Sequence, residues 1–165
     1  MSIRKLLARS ASSMSTWGLR HIARRPAANM PGKIALKLDP QIIAESMGKV
    51  TEGSIVVVGT NGKTTITNMI ADALERQGKT VACNRTGANL AYGVATTLLQ
   101  TKGSVEWGVF ESDELWLAHT LPQVQASYVL LLNLFRDQLD RCGEIDRVQD
   151  AIVQDLSCLL YTSDA

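Results

Sequence analysis

Ile55-Val56-Val57-Val58-Gly59-Thr60-Asn61-Gly62-Lys63-Thr64-Thr65 is the stretch on which the fold turns. Four consecutive apolar residues, three of them valine, read as a buried strand. A glycine turn carrying one lysine follows at once, and Lys63-Thr64-Thr65 opens a helix. Backbone N–H groups of such a turn and of the helix N-terminus converge on one point, where the helix dipole also favours negative charge. Lys63 adds a positive charge for outer phosphates, and Thr64 offers a hydroxyl to Mg²⁺. The pattern implies a nucleoside triphosphate held by Gly59, Thr60, Asn61, Gly62, Lys63, Thr64 and Thr65. The general phosphate-loop pattern has a further glycine where this chain has Val57, so the turn here is tighter. A bland strand-to-helix turn would use the same glycines for positive φ, but it does not need a Lys-Thr-Thr helix start.

The 165 residues suffice for one domain with a substantial core. The net charge of +1 hides an asymmetry. Residues 1–38 hold eight of the 17 Lys/Arg and none of the 16 Asp/Glu, so the body is acidic behind a basic leader. In that leader (residues 1–30), Arg4, Lys5, Arg9, Arg20, Arg24 and Arg25 mix with serines and with Leu6, Leu7, Met14, Trp17, Leu19 and Ile22. A solvated helix, a basic amphipathic segment on anionic lipid and a mitochondrial-type transit peptide share that composition. Cys83, Cys142 and Cys158 are scattered and form no Cys-x-x-Cys pair, so the chain shows neither a zinc site nor a disulfide framework, and reduced thiols are the simplest reading. No apolar run approaches the roughly 18 residues that a membrane span needs.

Residues 31–53 read as a short strand and helix. Lys33 to Leu38 alternates like a strand, and Asp39-Pro40 caps a helix running to Met47. The domain proper covers residues 54–156. Its first strand, 54–58, leads through the phosphate loop to a helix with Ile66, Met69, Ile70, Ala73 and Leu74 at helical spacing, closed by Gly78. A strand over 80–83, a helix over 89–100 interrupted by Gly93, a strand over 105–110 and a helix over 114–119 ended by Pro122 follow. Ser127 to Leu132 is the most apolar strand, and a last helix from Glu144 places Ile145, Val148, Ile152 and Leu156 on one face. Residues 157–165 break that pattern and read as a non-native or truncated tail. Alternating strands and helices predict an α/β fold of the P-loop NTPase type: a parallel sheet with helices on both faces and ligands at the carboxyl ends of the strands.

Three stretches fall at such strand ends: the phosphate loop, Glu111-Ser112-Asp113-Glu114, and Asn133 to Asp140. Carboxylates there can hold Mg²⁺ while the ion bridges phosphates. Glu111, the first polar residue off its strand, is the metal candidate beside Thr64; an acidic solvated loop is the plain alternative. Asn84-Arg85-Thr86-Gly87-Ala88-Asn89 follows the second strand. Arg85, Thr86 and Asn89 there are candidate substrate or phosphate contacts, or else members of a loop with a helix cap at Thr86 or Asn89. His21 and His119 are isolated, and Trp107 and Trp116 read as packing residues.

With these residues in place, the chain resembles the Mur ligase superfamily, which also includes folylpolyglutamate synthases. Asn133-Leu-Phe-Arg-Asp-Gln-Leu-Asp-Arg with Gly143-Glu144, Pro31-Gly-Lys-Ile-Ala-Leu-Lys-Leu-Asp-Pro and Asn84-Arg-Thr-Gly-Ala-Asn are similar to its MurT branch, the synthetase subunit of lipid II isoglutaminyl synthase. The resemblance runs from about Pro31 to Val153. It implies ATP-dependent activation of the D-glutamate α-carboxyl of the lipid II stem peptide as an acyl phosphate, which ammonia from a GatD-like glutaminase then amidates; the alternatives are another Mur-type amide ligase (a folylpolyglutamate synthase or a UDP-MurNAc-peptide ligase) and a non-catalytic ATP-binding module. It also implies Mg²⁺ on Thr64 and Glu111, and Asn133 near the γ-phosphate. Zinc is implied only in a central-domain insertion outside this chain, and no nucleic-acid partner is implied. The resemblance implies that the catalytic residues, unknown in this sequence, belong to a C-terminal part, so this chain alone is expected to be inactive. The compartment implied is the bacterial cytoplasm at the inner membrane face, with peripheral contact through the basic leader. Many Mur ligases carry Asp-His where this chain has Asp137-Gln138; the uncharged amide is a weaker ligand for a second Mg²⁺, and it sets the chain apart from an ordinary amino-acid-adding ligase.

Overall fold

The computed structural model describes residues 29–134 and, beyond them, 149–150, 152–154 and 156–157. The leader to residue 28, positions 135–140, the start of the last helix at Glu144 and residues 158–165 lie outside the described residues. Among the described residues, four strands, β1 (Val50–Val58), β2 (Val81–Cys83), β3 (Val105–Glu111) and β4 (Tyr128–Leu131), form one sheet in the order β2-β3-β1-β4. Every pairing is parallel, with Val57 beside Glu111 on one side and Leu130 on the other. The expected α/β architecture is therefore the observed one. Helices α1 (Met30–Leu38) and α2 (Ile42–Ser46) precede the sheet. Parallel neighbours need crossovers, and α3 (Lys63–Arg76), α4 (Ala91–Gln100) and α5 (Leu117–Val124) supply them.

The alternation of β1 sorts its side chains between two layers. Val56 and Val58 join Phe110 in a core built with Val94, Leu98, Leu117 and Leu121, while α3 packs on the opposite face. Ile152 is buried in the same core, and Leu156 packs against it, as the expected face of the last helix requires. At the sheet edge, β4 leaves Tyr128, Leu130 and Leu131 exposed despite its apolar sequence.

Several local expectations change. Residues 33–38 are helical, within α1, because Pro31 suits a helix start and Pro31, Gly32 and Ala35 bury at helical spacing. Gly32 is pressed against α4: its N–H donates to Thr96 Oγ1 at 2.8 Å, and a Cβ there would overlap the Tyr92 carbonyl. The helix expected to run to Met47 is α2, extended by a 3₁₀ turn at Met47–Lys49, and β1 starts at Val50, four residues before the predicted boundary. In α3 the buried residues are Lys63, Thr67 and Ala71, while Ile66, Ile70 and Leu74 of the expected stripe are half-buried and Met69 and Ala73 are exposed, so the most deeply buried positions lie beside that stripe. Gly93 does not interrupt α4, whose tight contact with the Ala88 carbonyl needs a residue without Cβ. Pro122 does not end α5. It is exposed, the carbonyl it leaves unbonded belongs to exposed Ala118, and burial of Leu121 and Val124 carries the helix on to Gln125, where φ turns to +46°.

Candidate functional site

The carboxyl ends of β1 and β3 and the loop after β2 surround a polar cleft of about 250 Å³ lined by residues 60–65, Gly87, Asn89 and Glu111. Val57 is fully buried in β1, so the tight turn begins only at Gly59. Gly62 sits at the N-cap of α3 with φ +85°, a left-handed conformation that aims the following amides along the helix axis into the cleft. Among the described residues, no side chain caps α3. Its first-turn N–H groups thus lie at the cleft with the positive end of the helix dipole behind them.

Lys63 is buried and bent back over the turn. Its Nζ donates to the Gly59 carbonyl, to the Thr60 carbonyl at 3.3 Å and to Glu114 Oε1 at 3.5 Å. Glu114, only 5% exposed, is thus the counter-charge of the loop lysine. Sequence reasoning misses this role, because it singles out Glu111 alone from Glu111-Ser112-Asp113-Glu114. The available signal is that two further carboxylates, Asp113 and Glu114, follow the same strand end within one turn.

Glu111 ends β3 on the face opposite Phe110, toward α3. Its carboxylate is 1% exposed, and Oε2 has no hydrogen-bond partner among the described residues. Burial pushes its carboxyl above the usual range, against a hydrogen bond with Thr64 and the nearby charge of Lys63. A buried carboxylate oxygen left open beside a threonine hydroxyl, at the mouth of an anion cradle, fits a divalent cation that takes oxygen ligands.

Asn133 lies against the turn rather than across the cleft. Its side chain accepts from the Asn61 N–H and donates to the Asn61 carbonyl, both at 3.0 Å, and its own carbonyl accepts from the Thr60 N–H at 2.8 Å. The Asn61 amide, expected to face phosphate, is therefore engaged by Asn133. A Cβ on Gly59 would meet the Asn133 carbonyl at 2.9 Å, so the two segments touch because residue 59 is glycine. Of the candidates after β2, only Asn89 lines the cleft. Arg85 is turned to α3, paired with Asp72 at 2.6 Å and Glu75 at 2.8 Å, and Thr86 is exposed outside the lining. Gly87, which sequence reasoning passes over, lines the cleft beside Thr64 and Glu111. Gln138 lies outside the described residues.

The Mur ligase middle domain family matches residues 57–154, more than half of the chain. The chain belongs to the Mur ligase family. It is 34% identical over 155 residues to the MurT subunit of the glutamine-hydrolyzing lipid II isoglutaminyl synthase of Staphylococcus aureus (strain COL), covering 87% of this chain and 35% of that protein. The MurT subunit of Streptococcus pneumoniae (strain ATCC BAA-255 / R6) is 37% identical over 148 residues, covering 88% and 32%. Among solved Mur ligases, the fold is similar to MurF of Thermotoga maritima in complex with ADP, with a TM-score of 0.63 at 21% identity over 76% of this chain and 29% of that one. The chain thus spans about a third of the length of the MurT relatives it matches.

Proposed function

We propose that this chain is the nucleotide-binding part of a MurT-like amidating ligase that uses ATP and Mg²⁺. The observation that carries the reading is the pairing of an open helix N-terminus with the half-satisfied Glu111 carboxylate across one cleft. The first-turn amides of α3 would hold the β- and γ-phosphates. Lys63 would exchange its contacts with the Gly59 and Thr60 carbonyls for phosphate oxygens, and Asn89 lies within the same lining. Thr64 and Glu111 would hold Mg²⁺, which when bound would neutralise charge on the transferring phosphoryl group. Asn133 would keep the turn in shape.

The names of the MurT relatives, subunits of a glutamine-hydrolyzing lipid II isoglutaminyl synthase, support the rest of the proposal. A lipid II carboxylate oxygen attacks the γ-phosphorus and ADP leaves; ammonia from a glutaminase subunit then attacks the acyl carbon and phosphate leaves. The carboxylate to be activated is the D-glutamate α-carboxyl of the stem peptide. With a membrane-borne lipid II as substrate, the reaction would run at the inner face of the membrane in the bacterial cytoplasm, and the basic leader would be a peripheral contact. Among the described residues, no helix is long and apolar enough to cross a membrane.

A second reading, another Mur-type amide ligase, has its support in a 33% identity over 101 residues to the UDP-N-acetylmuramate–L-alanine ligase of Mesorhizobium japonicum (strain LMG 29417 / CECT 9101 / MAFF 303099). That match covers 61% of this chain, against 87% for the S. aureus MurT. The test joins this chain to the remainder of its protein and a glutaminase, then supplies lipid II, glutamine and Mg·ATP. Amidated lipid II with stoichiometric ADP is expected. ADP release that needs an amino acid and ignores ammonia would select the second reading. In the same protein Lys63→Ala is expected to weaken ATP binding about 10- to 100-fold, the size of one charge-assisted hydrogen bond.

A further inference from the structure

Asn84 is 3% exposed and is the first residue after β2. Its side chain does what the next backbone unit of the strand would do. The ladder between β2 and β3 ends at Cys83 and Val109. Beyond it, Asn84 Oδ1 accepts from the Glu111 N–H at 2.9 Å, and Nδ2 donates to the Glu111 carbonyl at 3.0 Å. The other Nδ2 hydrogen donates to the Ala88 carbonyl at 2.9 Å. Both donors and the oxygen of one buried amide are thus used, two of them on the backbone of the residue whose carboxylate lines the cleft. The third fixes the loop that carries Gly87 and Asn89, and the Asn89 carbonyl in turn accepts from the Asp113 N–H at 2.8 Å.

We propose that Asn84 is a positioning residue for the cation site: it locks the Glu111 backbone to the loop after β2, so that the carboxylate, Gly87 and Asn89 keep one fixed relation to the phosphate loop. The inference rests on the reading of Glu111 as a Mg²⁺ ligand, and it adds a residue that never touches the ion. Outer partners of metal ligands typically contribute about 10- to 100-fold in metal affinity.

The experiment uses the full 165-residue chain. ADP affinity is measured calorimetrically across a Mg²⁺ series for the parent, Asn84→Ala, Asn84→Asp and Glu111→Gln. Asn84→Asp keeps the acceptor for the Glu111 N–H and loses both donations, and it stands in for Asn84→Ala if the latter does not fold. The Asn84 variants are expected to need at least about tenfold more Mg²⁺ for half-maximal enhancement, with ADP affinity in chelator unchanged within about twofold. An unchanged Mg²⁺ requirement in them, with a raised one in Glu111→Gln, overturns the inference and spares the metal reading. An unchanged requirement in Glu111→Gln overturns the metal reading itself. Amide exchange at Glu111 gives a readout free of nucleotide: Asn84→Ala should speed it at least about tenfold, and retained protection overturns the proposed lock.

Discussion

Glu111 concentrates the tension in the site. Glu111, 1% exposed and with one carboxylate oxygen unpartnered among the described residues, is costly to keep charged, and its carboxyl is accordingly raised by burial above the ordinary value of 4.5. An acid raised on folding contributes stability below its unfolded value, and that contribution is lost as pH climbs through the native value. The metal-free chain should therefore lose stability as pH rises from about 4.5. Glu111→Gln should flatten this limb and leave the metal-free chain more stable at neutral pH, because the amide carries no charge into the buried position. Urea melts at several pH values check both points, and a variant no more stable than the parent would refute them. At this scale the sequence tells position where chemistry and strand end coincide, and Lys63, Thr64 and Glu111 do line one cleft. Arg85 was not legible, since nothing in a loop's composition tells that its guanidinium turns to Asp72 and Glu75. Asn84 was hidden for a related reason: an asparagine after a strand reads as a turn former, and only the fold shows its amide extending a ladder.

Elements were legible to the extent that one period was possible. Lys33-Ile-Ala-Leu-Lys-Leu alternates, yet Pro31, Gly32 and Ala35 also lie on one helical face, and contact with α4 decides between the two. Gly32→Ala should therefore destabilise by about 1–3 kcal/mol, since its Cβ would meet backbone rather than a yielding side chain. Denaturant midpoints check this, and a shift no larger than that of an exposed control in α1 would refute it. At the opposite end of the sheet, Lys79 joins strands through Glu52 at 2.8 Å and Glu106 at 2.9 Å. Lys79, then the Thr80 N–H, hold the Glu106 carboxyl down to about 2 from 4.5. An acid lowered on folding contributes stability above its unfolded value and loses it as pH falls toward the native one. Glu106→Gln should flatten the stability curve between about 4.5 and 2, and more weakly in high salt, because the groups are exposed and screened. An identical acid limb in parent and variant would count against the staple.

Over the whole molecule, the sheet order β2-β3-β1-β4 brings three loops to one edge, an arrangement that the alternation of strands and helices already implied. What that edge holds is narrower than a whole nucleotide. The cleft is about 250 Å³ and lined by loop amides, hydroxyls, the Lys63 ammonium and one carboxylate, below the roughly 300–1,000 Å³ of pockets that enclose a ligand. It suits a polyphosphate with its cation, while the described lining offers no apolar slot for a base. The chain alone should then bind ATP and inorganic triphosphate with dissociation constants within about tenfold of each other, both near 10⁻⁴–10⁻³ M, or about −5 kcal/mol. Calorimetry with the two ligands in Mg²⁺ checks this. A preference for ATP well beyond tenfold would mean that this chain already recognises the base. Equal weak binding, with no ADP release when lipid II and ammonia are added, would place recognition of base and acceptor in the rest of a Mur-type ligase, of which this chain spans about a third of the MurT length.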